Sequence, residues 1–89
     1  MAYEVEIKSS CQESINKHCK KNPVLKKALK NKIEEICQNP QHYKPLKYEL
    51  AGERRVHIMG SFVLRFEIDE LTRRIILLMF EHHDDAYRR

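Results

Sequence analysis

The run Ile75-Ile76-Leu77-Leu78-Met79-Phe80 is apolar at all six positions, and it restricts the possible folds more than any other feature of this chain. A strand of this kind is typical of the middle of a covered sheet, because both of its faces need apolar neighbours. The chain has 89 residues, which is enough for one hydrophobic core. We expect a single domain over residues 1–89, with this run as a central strand.

Two helices are predicted upstream of this strand. Ser10 and Glu13 have the spacing of a capping box, so a first helix begins near residue 10 and ends before Pro23. Asn22 then supplies the N-cap of a second helix, which carries an apolar stripe at helical spacing and stops at Asn39-Pro40. The two helices are consecutive, so we expect a hairpin whose apolar stripes face a sheet.

The remaining segments have the patterns of strands. Apolar and charged side chains alternate from Tyr3 to Lys8, as in a half-buried strand. Residues 41–52 are predicted to be a loop or short edge segment. Three further strands are expected at Glu53–Ile58, Phe62–Ile68 and Arg73–Phe80. The order β-α-α-β-β-β predicts an α+β fold, with an N-terminal strand, a helical hairpin and a three-stranded antiparallel meander.

Composition narrows the class of protein. No segment approaches the roughly 20 apolar residues of a membrane span, and no signal peptide is visible. The three cysteines, at positions 11, 19 and 37, form no Cys-x-x-Cys pair, so we interpret them as reduced, small apolar residues. We expect a cytoplasmic protein that does not associate with membranes.

Positive charge is concentrated in one block of the sequence. The net charge is +4, but residues 17–55 contain eleven Lys and Arg against four Glu. Such a block favours a polyanionic partner, either nucleic acid or an acidic protein segment. A solvated helix face that lysines keep soluble produces the same pattern. Charge alone therefore leaves both interpretations open.

The C-terminal residues 82–89 place reactive groups directly after the central strand. They comprise two imidazoles, two carboxylates, a phenol and two guanidiniums. His83 and Tyr87 are four positions apart, so a helical turn would put both on one side. A metal site at residues 82–85 is an alternative, although four adjacent ligands make a poor template. A solvated chain end is the other.

Strand alternation adds further groups to this tail. Arg55 and His57 share the strand face opposite Val56 and Ile58, and Arg65 lies on the same outer face of the next strand. Paired histidines suit cleavage of an RNA phosphodiester, because one imidazole accepts the 2′-hydroxyl proton and the other protonates the leaving oxygen. Guanidinium groups balance the phosphoryl charge. No metal or cofactor is required. His57 as an ordinary polar residue of an exposed sheet face remains the alternative.

Five segments together resemble the toxins of the RelE/ParE superfamily, from type II toxin–antitoxin pairs. These segments are the first strand, the lysine-rich helical hairpin, the loop Lys44-Pro45-Leu46, the stretch Arg54–Phe66 and the ending Phe80–Arg88. The ending His83-x-x-x-Tyr87 and the strand residue His57 are most similar to the histidine-using, mRNA-cleaving branch, the YafQ-like and YoeB-like toxins. The resemblance implies a RelE/ParE-like fold over nearly the whole chain.

The resemblance also implies roles for individual residues. His57 and His83 would be the catalytic acid–base pair, and Tyr87 would orient the substrate. Arg55 stands where RelE has a functional lysine, which implies phosphate binding. Lys44 stands where YafQ-like toxins have another histidine. Phosphate or RNA contacts are expected from Arg55, Arg65, Lys44, Lys47 and Arg54.

The implied function is that of an endoribonuclease. Such toxins cleave mRNA in the ribosomal A site, and an antitoxin encoded beside them neutralises them. We therefore expect a metal-independent mRNA interferase that inhibits translation, with the ribosome, mRNA and a cognate antitoxin as partners. A non-enzymatic, ParE-like toxin that poisons a DNA topoisomerase is the alternative. In a third interpretation, a degenerate toxin only binds its partner through its basic surface.

Overall fold

The computed structural model describes residues 3–43 and 52–86, and its elements follow the predicted order. They are β1 (Glu4–Ile7), α1 (Ser9–Cys19), α2 (Pro23–Gln38), a 3-10 turn (Pro40–His42), β2 (Glu53–Ile58), β3 (Phe62–Asp69), β4 (Arg74–His82) and α3 (His83–Ala86). The α+β class and the order of the six predicted elements are confirmed. The last strand extends two residues beyond the predicted end, and the short helix α3 follows it.

The apolar run lies in the centre of the sheet, as predicted. The strand order is β1-β4-β3-β2, with β1 parallel to β4 and the other pairs antiparallel. Ile75 and Leu77 are fully buried on the face that packs against the helices. The sequence predicts apolar neighbours on both faces of this strand. The structure provides them only on the face toward the helices, because Ile76, Leu78 and Met79 remain half-exposed.

The helical hairpin supplies the cover of one sheet face. Leu25, Leu29 and Ile36 of α2 are buried in the same core as Phe66 and Phe80 of the sheet. This arrangement removes the apolar stripe of the helix from water, which is the main favourable contribution to folding. The opposite face of β2 and β3 carries the charged and titratable side chains.

The two helix starts differ in how well the sequence predicts them. The Asn22 side chain accepts a hydrogen bond from the backbone N–H of Leu25 at 3.1 Å, so the predicted N-cap is confirmed. The capping box at Ser10 is wrong. The first helix begins at Ser9, and its N-cap residue Lys8 makes no side-chain capping bond. The Lys8 N–H instead donates to the carbonyl of Leu77 at 3.0 Å, so the end of β1 fixes where this helix starts.

The cysteines are packing residues in this fold. Cys11, Cys19 and Cys37 are buried and free of disulfides. Burial raises the pKa of the Cys11 thiol to about 11, since a thiolate is poorly solvated in an apolar environment. Within residues 3–43 and 52–86, no helix has both the length and the apolar character needed to cross a bilayer.

Candidate active site

The outer face of β2 presents the two side chains that alternation assigns to it. Val56 and Ile58 are buried against the helices, whereas Arg55 and His57 are exposed on the other face. In the antiparallel pair, Arg55 lies opposite Arg65 and His57 lies opposite Val63. The predicted grouping of Arg55, His57 and Arg65 on one face is therefore confirmed.

The structure brings the two predicted histidines together. The rings of His57 and His83 have centroids 5.5 Å apart and are inclined by 36°. His83 is the first residue of α3, and its backbone N–H donates to the carbonyl of Ser61 at 2.6 Å. That bond ties the end of β4 to the turn between β2 and β3. The sequence contains no signal for it, because any residue can provide a backbone carbonyl.

The turn beside His57 has an unusual backbone conformation. Met59 has a φ of 55° and Gly60 a φ of 70°. Glycine adopts this region freely, but a side chain such as that of methionine makes it unfavourable. The turn nevertheless suits a tight connection between twisted antiparallel strands. It holds Ser61 within reach of His83, and it leaves Met59 54% exposed.

Arg65 is held in place by two neighbours on the outer face. Its Nε lies 3.8 Å from Oε1 of Glu53, and its Nη2 donates to the sulfur of Met79 at 2.9 Å. Both charged side chains of this ion pair are only 25% exposed. Arg65 lies opposite Arg55 across the strands, so the carboxylate of Glu53 offsets part of the repulsion between the two guanidiniums. Sequence reasoning did not identify Glu53 as part of this face.

Arg54 lies on the opposite side of β2 from the histidines. Its Nε donates to the carbonyl of Tyr43 at 2.8 Å, and its Nη2 donates to the side-chain oxygen of Gln41 at 3.1 Å. The guanidinium thus braces the 3-10 turn against the sheet. The structure does not join Arg54 to Arg55 and Arg65, because adjacent strand residues point to opposite faces.

His82, the other histidine of the tail, lies apart from the pair of His57 and His83. The His82 ring packs edge-on against Phe62, with centroids 5.4 Å apart, and its Nδ1 accepts the Asp84 N–H at 3.3 Å. This contact turns His82 toward the core side of β4 and away from His57. Among the described residues, no group of three or more His, Cys, Asp or Glu side chains is arranged to hold a metal ion. Lys44, Lys47 and Tyr87 lie outside the described residues.

Exposed lysines surround the tip of the helical hairpin, and the sequence has no Asp or Glu at positions 14–33. We call these six residues the lysine surface: Lys17, Lys20, Lys21, Lys26, Lys27 and Lys30. The neighbouring residue His18 lies 5.1 Å from Phe62 between ring centroids, and Phe62 in turn contacts His82. The lysine surface therefore begins at the same end of the sheet as the histidine pair.

Comparisons with known proteins agree with this architecture. The family model described as the ParE toxin of the type II toxin–antitoxin system parDE matches residues 9–87. A predicted toxin of Methanocaldococcus jannaschii, RelE4, is 44% identical over 87 residues, which cover 98% of this chain and 93% of the relative.

Solved structures share the fold at much lower identity. A chain of the toxin–antitoxin complex RelBE2 from Mycobacterium tuberculosis matches with a TM-score of 0.77 at 21% identity, covering 93% of this chain and 100% of its own length. YafQ from E. coli strain BL21(DE3) matches with a TM-score of 0.74 at 15% identity, covering 97% and 99% respectively. The chain therefore belongs to the ParE toxin family of type II toxin–antitoxin systems, within the RelE/ParE superfamily that its sequence resembles.

Proposed function

We propose that this toxin is a ribosome-dependent mRNA interferase that cleaves RNA by metal-independent acid–base catalysis. The observation that carries the proposal is the pairing of His57 and His83, with ring centroids 5.5 Å apart, on an exposed sheet face that also bears Arg55 and Arg65. A ParE-family fold does not by itself define an activity. The arrangement of these side chains is what favours nuclease chemistry.

The histidine pair supplies both proton transfers that RNA cleavage needs. A neutral imidazole accepts the proton of the ribose 2′-hydroxyl as its oxygen attacks the adjacent phosphorus, and a protonated imidazole donates a proton to the departing 5′-oxygen. The products are a 2′,3′-cyclic phosphate and a free 5′-hydroxyl. Histidine suits both roles because its unperturbed pKa, about 6.5, makes both protonation states accessible near neutral pH.

The arginines stabilise the charge that develops on the phosphate. Arg55 is exposed and lies two residues before His57 on the same strand face. Arg65 pairs with Arg55 on the neighbouring strand. A guanidinium presents several N–H donors in a fixed plane that matches two phosphoryl oxygens. Because Glu53 and Met79 already hold Arg65, little conformational freedom is lost when it meets the substrate. In this proposal Tyr87 orients the substrate and Lys44 and Lys47 contact RNA.

The proposed partners follow from charge. The lysine surface faces solvent at the same end of the sheet as the histidines, which suits the phosphate backbone of ribosomal RNA. The same positive charge suits an acidic segment of an antitoxin. The similar fold of a chain in the mycobacterial toxin–antitoxin complex supports an antitoxin partner. A toxin that acts on translating ribosomes works in the cytoplasm.

Controlled expression tests the proposal. We expect the wild-type toxin to stop translation and to produce new mRNA 5′-ends within ribosome-covered regions. His83→Ala should remove both effects while leaving antitoxin binding intact. His42→Ala is the matched control, because His42 is an exposed histidine next to Tyr43 at the other end of β2. A fully toxic His83→Ala variant would contradict the catalytic role.

A second candidate is a non-enzymatic toxin that poisons a DNA topoisomerase. The observation that favours it is the matching family model, whose description is a ParE toxin. In that case His57 and His83 are incidental, so replacing either leaves toxicity unchanged. Expression would induce the DNA-damage response without new mRNA ends. Measuring DNA damage and mRNA cleavage in the same culture distinguishes the two functions.

A further inference from the structure

Strand β4 contains an irregularity immediately before the residues that lead to the site. Phe66 of β3 pairs with Leu77, but the preceding residue Arg65 pairs with Met79. Leu78 therefore has no partner in β3, and the strand contains one extra residue at this point. Such a β-bulge interrupts the regular alternation of side chains.

The bulge reverses which residues at the end of β4 face the helices. Before it, Ile75 and Leu77 are buried against the helices. Strict alternation would then turn Met79 and Glu81 toward the helices and Phe80 away from them. The structure shows the reverse, because Phe80 is fully buried in the core while Met79 contacts Arg65 on the outer face. The strand consequently enters α3 with its odd-numbered residues on the outer side, where His83 meets His57.

One side chain holds the strand just after the bulge. Strand β4 pairs with β3 along one edge and with β1 along the other. The pairing with β1 ends at Leu77, whose carbonyl accepts the Lys8 N–H at 3.0 Å. Beyond this point α1 lies along the edge, and the half-buried hydroxyl of Ser14 donates to the carbonyl of Phe80. The hydroxyl thus replaces the strand partner that this carbonyl would otherwise lack.

We propose that Ser14 is a positioning residue that, through the Phe80 carbonyl, fixes the bulged end of β4 and thereby places His83 beside His57. The proposal rests on the nuclease function proposed above. A cavity of about 80 Å³ borders the bulge and is lined in part by Ser14 and Leu78. Loss of the hydroxyl therefore leaves the strand room to shift. Even a small shift matters, because a displacement of about 1 Å in a catalytic group can lower a rate on the order of a hundredfold.

Three variants test this role. Ser14→Ala removes the hydroxyl, Ser14→Thr retains it, and Ser9→Ala alters an exposed serine at the start of the same helix that does not line this cavity. For cleavage of ribosome-bound mRNA, we expect Ser14→Ala to lower kcat by about tenfold to a hundredfold with KM unchanged. Ser14→Thr should recover most of kcat, and Ser9→Ala should match the wild type.

An NMR measurement reads the geometry without relying on activity. In the wild-type toxin we expect nuclear Overhauser effects between the ring protons of His57 and His83, and we expect Ser14→Ala to weaken or abolish them. Retained ring contacts in Ser14→Ala, or an unchanged kcat, would overturn the positioning role. If the wild-type toxin cleaves no mRNA, the nuclease proposal fails on its own, and the ring contacts still decide the role of Ser14. If Ser14→Ala does not fold, the comparison of Ser14→Thr with a Ser14→Cys variant decides, because a thiol is a much weaker donor.

Discussion

Replacing His57 and His83 singly and together tests whether the two imidazoles act as a pair. A positioned general acid or base contributes roughly 10²- to 10⁴-fold to a rate. At about 1.4 kcal/mol per tenfold, each single alanine variant should therefore lose about 3–5.5 kcal/mol of transition-state stabilisation. Both rings are partly exposed, so neither change should cost much stability. The losses should appear in kcat.

The double variant gives the sharper result. Groups more than about 7–10 Å apart usually contribute independently, whereas groups in contact do not. The ring centroids of His57 and His83 are 5.5 Å apart, which is well inside the range in which two substitutions affect each other. In the proposed mechanism one phosphodiester engages both rings in a single step. The double variant should lose little more than the worse single variant, instead of the roughly 10⁴- to 10⁸-fold product of independent effects.

Single-turnover cleavage of mRNA on programmed ribosomes measures these rates. The wild-type rate should follow a bell-shaped pH profile, since one imidazole must be neutral and the other protonated. Each single variant should lose one limb of that profile. His42→Ala should behave as the wild type, and antitoxin binding confirms that every variant is folded. Multiplicative losses in the double variant would show that the histidines do not act in one step. Single variants within threefold of the wild-type rate would refute catalysis by this pair.

Three further predictions concern the scaffold. Phe80→Ala should lower the free energy of unfolding by about 3–5 kcal/mol in urea titrations, because Phe80 is fully buried and its ring stacks on a neighbour. Leu71→Ala, at a position 97% exposed, should change it by no more than about 0.5 kcal/mol. Hydrogen bonds from the side chain and backbone of Thr72 lower the pKa of Asp69. Their contribution to stability is present above the unfolded-state pKa, about 3.9, and is lost as the pH falls through the lower folded-state pKa. Asp69→Asn should therefore lower the thermal midpoint at pH 7 but not below that window, and an equal loss at all pH values would contradict this. At pH 8 Cys11, with its pKa raised by burial to about 11, should react far more slowly with a thiol reagent in the native protein than in urea. Equal reaction rates would show that this thiol is accessible.

The elements of the fold were predictable because local patterns encode them. The apolar run from Ile75, the N-cap at Asn22 and the alternation of β2 each express a preference that a few neighbouring residues determine. The family resemblance extended this to the whole chain. The start of α1 near residue 10 was predicted to within one residue, but the capping box at Ser10 was wrong, because the end of β1 fixes this helix start through the Lys8 N–H. That contact joins residues far apart in the sequence.

The residue types of the candidate site were predictable, but their grouping was only partly so. Alternation places Arg55, His57 and Arg65 on one face of two strands, and the structure agrees. Alternation also moves Arg54 to the other face, where it binds the carbonyl of Tyr43. The positive charge of Arg54 predicts contact with RNA, but charge alone does not define the strand face on which the side chain lies. Glu53 was missed because an acidic residue does not resemble part of a phosphate site.

The sequence by itself determined the central strand, the helical hairpin and the presence of two histidines suited to proton transfer. Only the tertiary structure decided that the histidines meet. Their contact depends on the unpaired residue Leu78 and on the hydrogen bond from the His83 N–H to Ser61. A run of six apolar residues contains no signal for a bulge, since every position is equally apolar. The bulge lies where β4 pairs with β3 on one edge and accepts a hydrogen bond from Ser14 of α1 on the other, and both contacts exist only once the chain is folded.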